Sequence, residues 1–328
     1  MIAKHLFMKN QPLQRVRMGG IFLAAMMIVF SACQKMDVRP PRDTDKKTIS
    51  QLVSTTSGFE LLKAALSRTG LTDELNKPGT FTVFAPTNDA FIRAGFKTAA
   101  DIAKADKEVL KGIILYHALG SRVTAGAIPE ANNTSVTTLQ GSPLFATRRG
   151  NTVSINGIRV IRADIFASNG VIHVIDRVLI PASGNIVETA IANPNFSYLV
   201  AAVVRASNST LDVAGALSGT GPLTVFAPVN QAFIDAGFPT IESINNAPQA
   251  TLQRILLYHV VGARVFSSQL SNGPVPTLLT PQTVGINLSG PSVLGNANGG
   301  QASRIILTDV LTTNGVIHAI DRVLLPNP

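Results

Sequence analysis

The sequence predicts two successive domains of the α+β class, each with helices first and strands afterwards. Three repeated phrases and a change of hydrophobic period carry that reading. The stretch Ser168 to Pro181 returns as Thr313 to Pro326 with 11 of 14 positions identical. Phe81 to Phe96 returns as Leu223 to Phe238 with 12 of 16 identical, and Ile113 to His117 returns as Ile255 to His259. The displacement is 142 residues for these last two blocks and 145 for the closing one. Such a period exceeds the ~20–50 residues of a solenoid unit and suits a whole domain with its own core.

Each element follows from local pattern. Ile49, Leu52 and Val53, then Phe59, Leu62, Ala65 and Leu66, fall at three- and four-residue spacings and predict amphipathic helix, ended by Gly70. Phe81 to Ala85 is apolar on both faces and stopped by Pro86, which predicts a buried central strand. Asn88 is expected to cap the short helix that follows; Thr87 competes, but the second repeat has Val229 there and keeps Asn230. Asp101 to Tyr116 is the longest helical pattern, with Pro248 to Tyr258 as its counterpart. Thereafter the period shortens. Thr152–Ile155 and Ile158–Ile161 flank Asn156-Gly157, a strong hairpin signal. Pairing across it puts Val153, Ile155, Ile158 and Val160 on one face and Ser154 and Arg159 on the other. A turn at Asn169-Gly170 introduces a closing strand, Val171 to Ile180. Helices first and strands afterwards indicate α+β rather than alternating parallel units. In the second repeat Leu279 to Arg304 is rich in Gly, Asn and Ser, and its loops should vary most.

The N-terminus reads as a processing segment, residues 1–33. Lys4, Lys9, Arg15 and Arg17 precede any acid, and the apolar run Ile21 to Phe30 is short for a bilayer span. It ends at Cys33, the only cysteine. Small residues before a lone cysteine resemble a bacterial lipobox, which implies lipidation of Cys33; an ordinary signal peptide is the alternative. Residues 34–45 read as a flexible tether, and Gln34 to Asp37 resembles the export tags of surface lipoproteins in the Bacteroides group. Domains are then expected at 46–182 and 183–328, each folding alone, with a hinge near Pro181 to Gly184.

The formal charge of +9 is unevenly spread. Residues 46–182 carry 16 bases and 10 acids, whereas 183–328 carry 5 and 6. The two copies should therefore present different electrostatic faces to partners.

Chemistry-bearing patterns are few. His117, His173, His259 and His318 form two matched pairs, but strand parity sends His173 and Asp176 to opposite faces. There is no His-Glu-x-x-His, no cysteine pair, no Gly-x-Ser-x-Gly and no phosphate loop. No metal, cofactor or catalytic residue is expected. With no tryptophan and three tyrosines, a base-stacking surface for nucleic acid is not expected either.

Taken together, the Thr-Val-Phe-Ala-Pro blocks at 82–86 and 224–228, the Tyr-His pairs and the Asn-Gly-Val-Ile-His blocks resemble the fasciclin-like domain of secreted and cell-surface adhesion proteins. The resemblance implies two tandem domains, each a helical N-terminal half packed on a mostly antiparallel β-sheet wedge. It implies adhesion or ligand binding without catalysis, in the cell envelope. In animal members of the family a tyrosine-histidine motif and an Asp-Ile motif are linked to integrin binding. Those motifs fall here on Tyr116, His117, Tyr258, His259, Asp164 and Ile165, while Asp309-Val310 departs from the pattern; integrins are not expected partners of a bacterial lipoprotein. From the charge, Arg148, Arg149 and Arg159 are the candidates for an acidic ligand, presented together by the first hairpin. The expected protein is lipid-anchored to the outer membrane, its partner a cell-surface protein or an anionic polysaccharide. The alternatives are a polysaccharide-binding accessory lipoprotein of a glycan-uptake system, and an uncharacterised enzyme.

Overall fold

Residues 47–207 and 212–328 are described in the computed structural model, and Cys33 and the tether lie outside them. The first domain opens with helices α1 (Ile49–Thr55) and α2 (Glu60–Thr69), followed by strand β1 (Phe81–Pro86). Helices α3 (Asn88–Arg93), α4 (Ala99–Lys104) and α5 (Lys107–Tyr116) come next. The strands are β2 (Ala118–Leu119), β3 (Thr134–Thr137), β4 (Pro143–Arg149), β5 (Thr152–Ile155), β6 (Ile158–Ala167) and β7 (Gly170–Ile175). They form one sheet in the order β2-β1-β7-β6-β5-β4-β3. Only the β1–β7 pair is parallel.

The second domain repeats this plan. It has α6 (Ile186–Ile191), α7 (Ser197–Ala206), α8 (Val213–Ser218), β8 (Leu223–Pro228), α9 (Asn230–Asp235), α10 (Ile241–Asn245) and α11 (Gln249–Tyr258). Strands β9 (Val260–Val261), β10 (Gly273–Pro276), β11 (Thr283–Asn287), β12 (Ser292–Leu294), β13 (Ser303–Thr312) and β14 (Gly315–Ile320) follow. Their order, β10-β11-β12-β13-β14-β8-β9, mirrors the first sheet. The fold class is α+β.

Each central strand is buried on both faces because it divides two cores. In the first domain Val83, Ile172 and Val174 pack against the helices with Leu62, Leu66 and Ile114. On the other side Phe84 and Ile175 join Tyr116, Ile155 and Ile158 from the hairpin layer. The predicted hairpin is present, with Ser154 opposite Arg159 and Ile155 opposite Ile158. Its turn residues Asn156 and Gly157 have φ of 48° and 80°, the left-handed pair that an Asn-Gly turn supplies. Gly170 and Gly315 open the closing strands where a Cβ would lie 2.2 and 2.1 Å from the carbonyl oxygens of Phe81 and Leu223. That contact allows no side chain.

Three local expectations are corrected. The Asp101–Tyr116 pattern is two helices, because the Asp106 carboxylate caps α5 by accepting from the Glu108 and Val109 amides. The closing strand ends at Ile175 rather than Ile180. Asn88 is not the cap of its own helix: Thr87 Oγ1 accepts from the Ala90 amide there. Asn88 Oδ1 instead accepts from the Leu61 amide at the start of α2, 27 residues earlier. Asn230 does the same for the Tyr198 amide at the start of α7. The repeat kept both asparagines because each satisfies an orphan donor of a neighbouring helix.

Candidate functional site

The Tyr-His pairs sit at the C-terminal ends of α5 and α11, where the chain turns into the sheet. Tyr116 and Tyr258 are wholly buried. The Tyr116 hydroxyl donates to the Pro143 carbonyl at 2.8 Å and accepts from Asn156 at 2.9 Å. Tyr258 donates to the Thr283 carbonyl at 2.7 Å and accepts from the Asn296 amide. Burial pushes the Tyr116 phenol up to about 12.

His117 Nδ1 donates to the Ile113 carbonyl at 2.7 Å, and its Nε2 accepts from the Leu179 amide at 2.9 Å. His259 repeats this with Ile255 and Leu324. An imidazole that must donate at one nitrogen and accept at the other is neutral. Burial accordingly pulls both histidines down to about 4. His173 and His318 are likewise engaged: Nε2 meets the Val123 or Val265 carbonyl, and Nδ1 faces the Asp164 or Asp309 amide. Burial also lowers both of these. All four rings are consumed by backbone groups. The candidate ligand-binding residues Tyr116, His117, Tyr258 and His259 are all buried, and their side chains serve as internal struts.

Asp164 occupies a bulge in β6, where the pairing with β7 slips and its φ is 57°. A short polar residue tolerates that left-handed conformation better than most. Its carboxylate accepts from the Ala125 amide at 2.9 Å, which ties the bulge to the turn at 125–127. Ile165 packs toward the helical core. Asp309 is the second-domain equivalent, with φ of 63° and a 2.6 Å bond from the Ser267 amide.

The structure sets Arg148 apart from Arg149 and Arg159, which share the face of Thr147 and Ser154. Adjacent residues of one strand point to opposite faces, so Arg148 and Arg149 cannot act together on one ligand from β4. Arg148 reaches the Gly126 carbonyl and Glu130, at 3.3 and 3.6 Å. Arg149 lies on the other face and approaches the Gln269 carbonyl of the second domain at 3.5 Å. Arg159 is exposed on the face of Ser154, and Arg162 is also exposed. The expected three-arginine presentation by the hairpin is corrected on that geometry.

That outer face of the first sheet is where the second domain docks, and the two domains belong to one compact unit. Gln269 donates to Asn133 Oδ1 at 2.6 Å and to Thr147 Oγ1 at 2.7 Å. Ser154 and Ser268 hydroxyls meet at 2.9 Å. Phe266, fully buried, packs on Phe145 with ring centroids 6.2 Å apart. The Arg264 guanidinium lies 3.9 Å from the Phe145 ring centroid, a cation–π contact. Arg177 pairs with the nearly buried Asp309 carboxylate at 3.3 Å. Gly157 abuts that same carboxylate, since a Cβ there would come within 2.6 Å of it. None of Asn133, Phe145, Arg264, Phe266 or Gln269 was singled out by sequence pattern. The available signal was divergence: Phe266 and Gln269 stand where the first repeat has Thr124 and Ala127.

Among the described residues no group of histidine, cysteine, aspartate or glutamate could hold a metal ion. Among the same residues no helix is long and apolar enough to cross a membrane. The buried tyrosines and histidines act as paired struts inside each domain.

The Fasciclin domain family matches residues 57–181 and 194–326. The chain belongs to the fasciclin domain family, with two copies of the domain. Transforming growth factor-beta-induced protein ig-h3 of Sus scrofa is 30% identical over 259 residues, covering 78% of this chain and 36% of that protein. Periostin of Homo sapiens is 29% identical, covering 78% of this chain and 30% of that one. The chain thus spans about a third of the length of these two relatives. Protein sll1483 of Synechocystis sp. is 41% identical over 144 residues, 43% of this chain and 73% of that protein. A solved FAS1 domain pair from the insect cell adhesion molecule fasciclin I aligns over 81% of this chain and 96% of that one, with 19% identity and a TM-score of 0.38.

Proposed function

We propose that this chain is a non-catalytic adhesion or ligand-binding protein of the cell envelope, held to the membrane by lipid on Cys33. One observation carries the reading: every described histidine is bonded to backbone at both ring nitrogens, so these rings serve as internal struts and the exposed faces are what the domains offer a partner. Membership of the fasciclin domain family over both halves of the chain supports it. A fold hosts many functions, so the ligand follows from the exposed faces and not from the family. The first domain, with its excess of bases, is the half suited to an acidic partner such as an anionic polysaccharide. Arg159 and Arg162 are its exposed cations on β6. One acyl chain alone gives marginal membrane binding, so firm retention calls for more than one on Cys33.

The test compares cells expressing the wild type, Cys33→Ser and Arg159→Ala/Arg162→Ala forms. An acyl probe should label the wild type and not Cys33→Ser, and attachment of cells to a polysaccharide-coated surface should fall in both variants. Equal labelling removes the anchor from the proposal. Attachment unchanged in both variants removes adhesion.

A further inference from the structure

We propose that the first domain binds the aliphatic chain of an amphiphile, in a cavity between the helical layer and the edge of the sheet. The cavity holds about 330 Å³. Leu66 of α2, Leu71 and Leu75 of the following segment, Val83 of β1 and Ala118 of β2 contribute to its lining. Leu139, 43% exposed, also lines it and marks where it meets solvent. The volume corresponds to about eleven water-sized groups at ~30 Å³ each, but water would find almost no partners there. His117 contributes to the wall, yet both of its ring nitrogens are already bonded. Whatever enters must therefore be apolar, since a buried polar group without a partner is costly. The charged groups nearby are Glu74 in the lining and Lys77 bonded to it at 2.7 Å, and both are exposed. A polar head would rest beside that pair, in water.

The second domain shows that the cavity is not forced by the fold. Its overlapping space is lined by Leu256, His259 and Val260, the equivalents of Ile114, His117 and Ala118, and holds about 60 Å³. Val260 stands where the first domain has alanine. An unfilled apolar cavity costs stability, and the second domain, with valine at this position among other lining differences, leaves far less of it open. The proposal does not depend on the adhesion reading.

The probe is n-decanol, whose eleven non-hydrogen atoms suit the volume, titrated calorimetrically into the purified protein without detergent. One equivalent should bind saturably. Ala118→Val, which installs the second-domain residue, should weaken binding at least threefold, and Ala118→Phe more than tenfold. Leu278→Asp, at the second-domain counterpart of Leu139, should leave binding unchanged. Circular dichroism reports whether each variant is folded, and Ala118→Val decides the matter if Ala118→Phe is not. Absence of saturable binding by the wild type, undiminished binding by folded Ala118→Val, or loss of binding in Leu278→Asp would overturn the proposal.

Discussion

Asn169 and Asn314 occupy the same place in the two domains and do the same work, while Thr124 and Phe266 occupy the same place and do different work. Asn169 accepts from the Ile49 amide and donates to the Leu75 and Lys77 carbonyls. Asn314 accepts from the Ile186 amide and donates to the Leu217 and Gly219 carbonyls. Each asparagine ties the first helix, the segment before the central strand and the closing strand together. Phe266, by contrast, fills the seam between domains by packing on Phe145, a ring contact that threonine at position 124 has no ring to make. The difference teaches where duplication is free to diverge. Buried backbone groups left unpaired cost about 1–3 kcal/mol each, so the internal ties stay fixed. Outer faces carry no such penalty until something docks on them.

The largest effect that tests the shared ties is acid destabilisation. His117 and His259 have folded values of about 4 against an ordinary 6.5. The unfolded chain therefore takes up protons at a pH where the folded chain does not. The stability these rings contribute is intact above pH 6.5 and is lost as pH falls toward 4. That amounts to about 3 kcal/mol per histidine, or roughly 6 kcal/mol for the pair. Urea unfolding should show a falling midpoint already between about pH 7 and 5, above the carboxylate range. A midpoint flat across that interval would mean that the rings are not held neutral.

The seam gives the next effect. Phe266→Thr, which installs the first-domain residue, should cost about 3 kcal/mol by analogy with other buried aromatic truncations. The loss should fall on the docking of one domain on the other, so calorimetry should resolve two transitions in place of one. A single transition at an unchanged temperature would show that Phe266 stabilises neither its own domain nor the docking.

The smallest effect lies at a helix start. Thr87 caps α3 with its hydroxyl, whereas Val229, at the start of α9, has no side-chain cap. Val229→Thr should stabilise the second domain, and Thr87→Val should destabilise the first, each by about 1 kcal/mol. Opposite shifts in thermal midpoint are the expected reading; shifts of the same sign would break the equivalence of the two sites.

Much was legible before any coordinates. The repeat announced two domains, the shortening period placed helices before strands, and Asn156-Gly157 announced its hairpin. Such signals act over a few residues, and the backbone conformation they demand is the same wherever the segment lies. The family followed from phrases whose spacing survived duplication.

Tertiary structure alone decided which helix Asn88 caps, because its partner amide lies 27 residues away. It alone turned the Tyr-His pairs inward, since a side chain's exposure depends on what packs over it. It also split Arg148 from Arg149 and set Arg149 beside the second domain. Strand register is local, but the body that lands on each face is not. The sequence by itself determined the framework of each domain through short-range periodicity and turn chemistry. The seam and the open cavity come from long-range packing, in which Phe266 gains a partner in Phe145 and Ala118 lines a space much larger than the one that Val260 lines in the second domain.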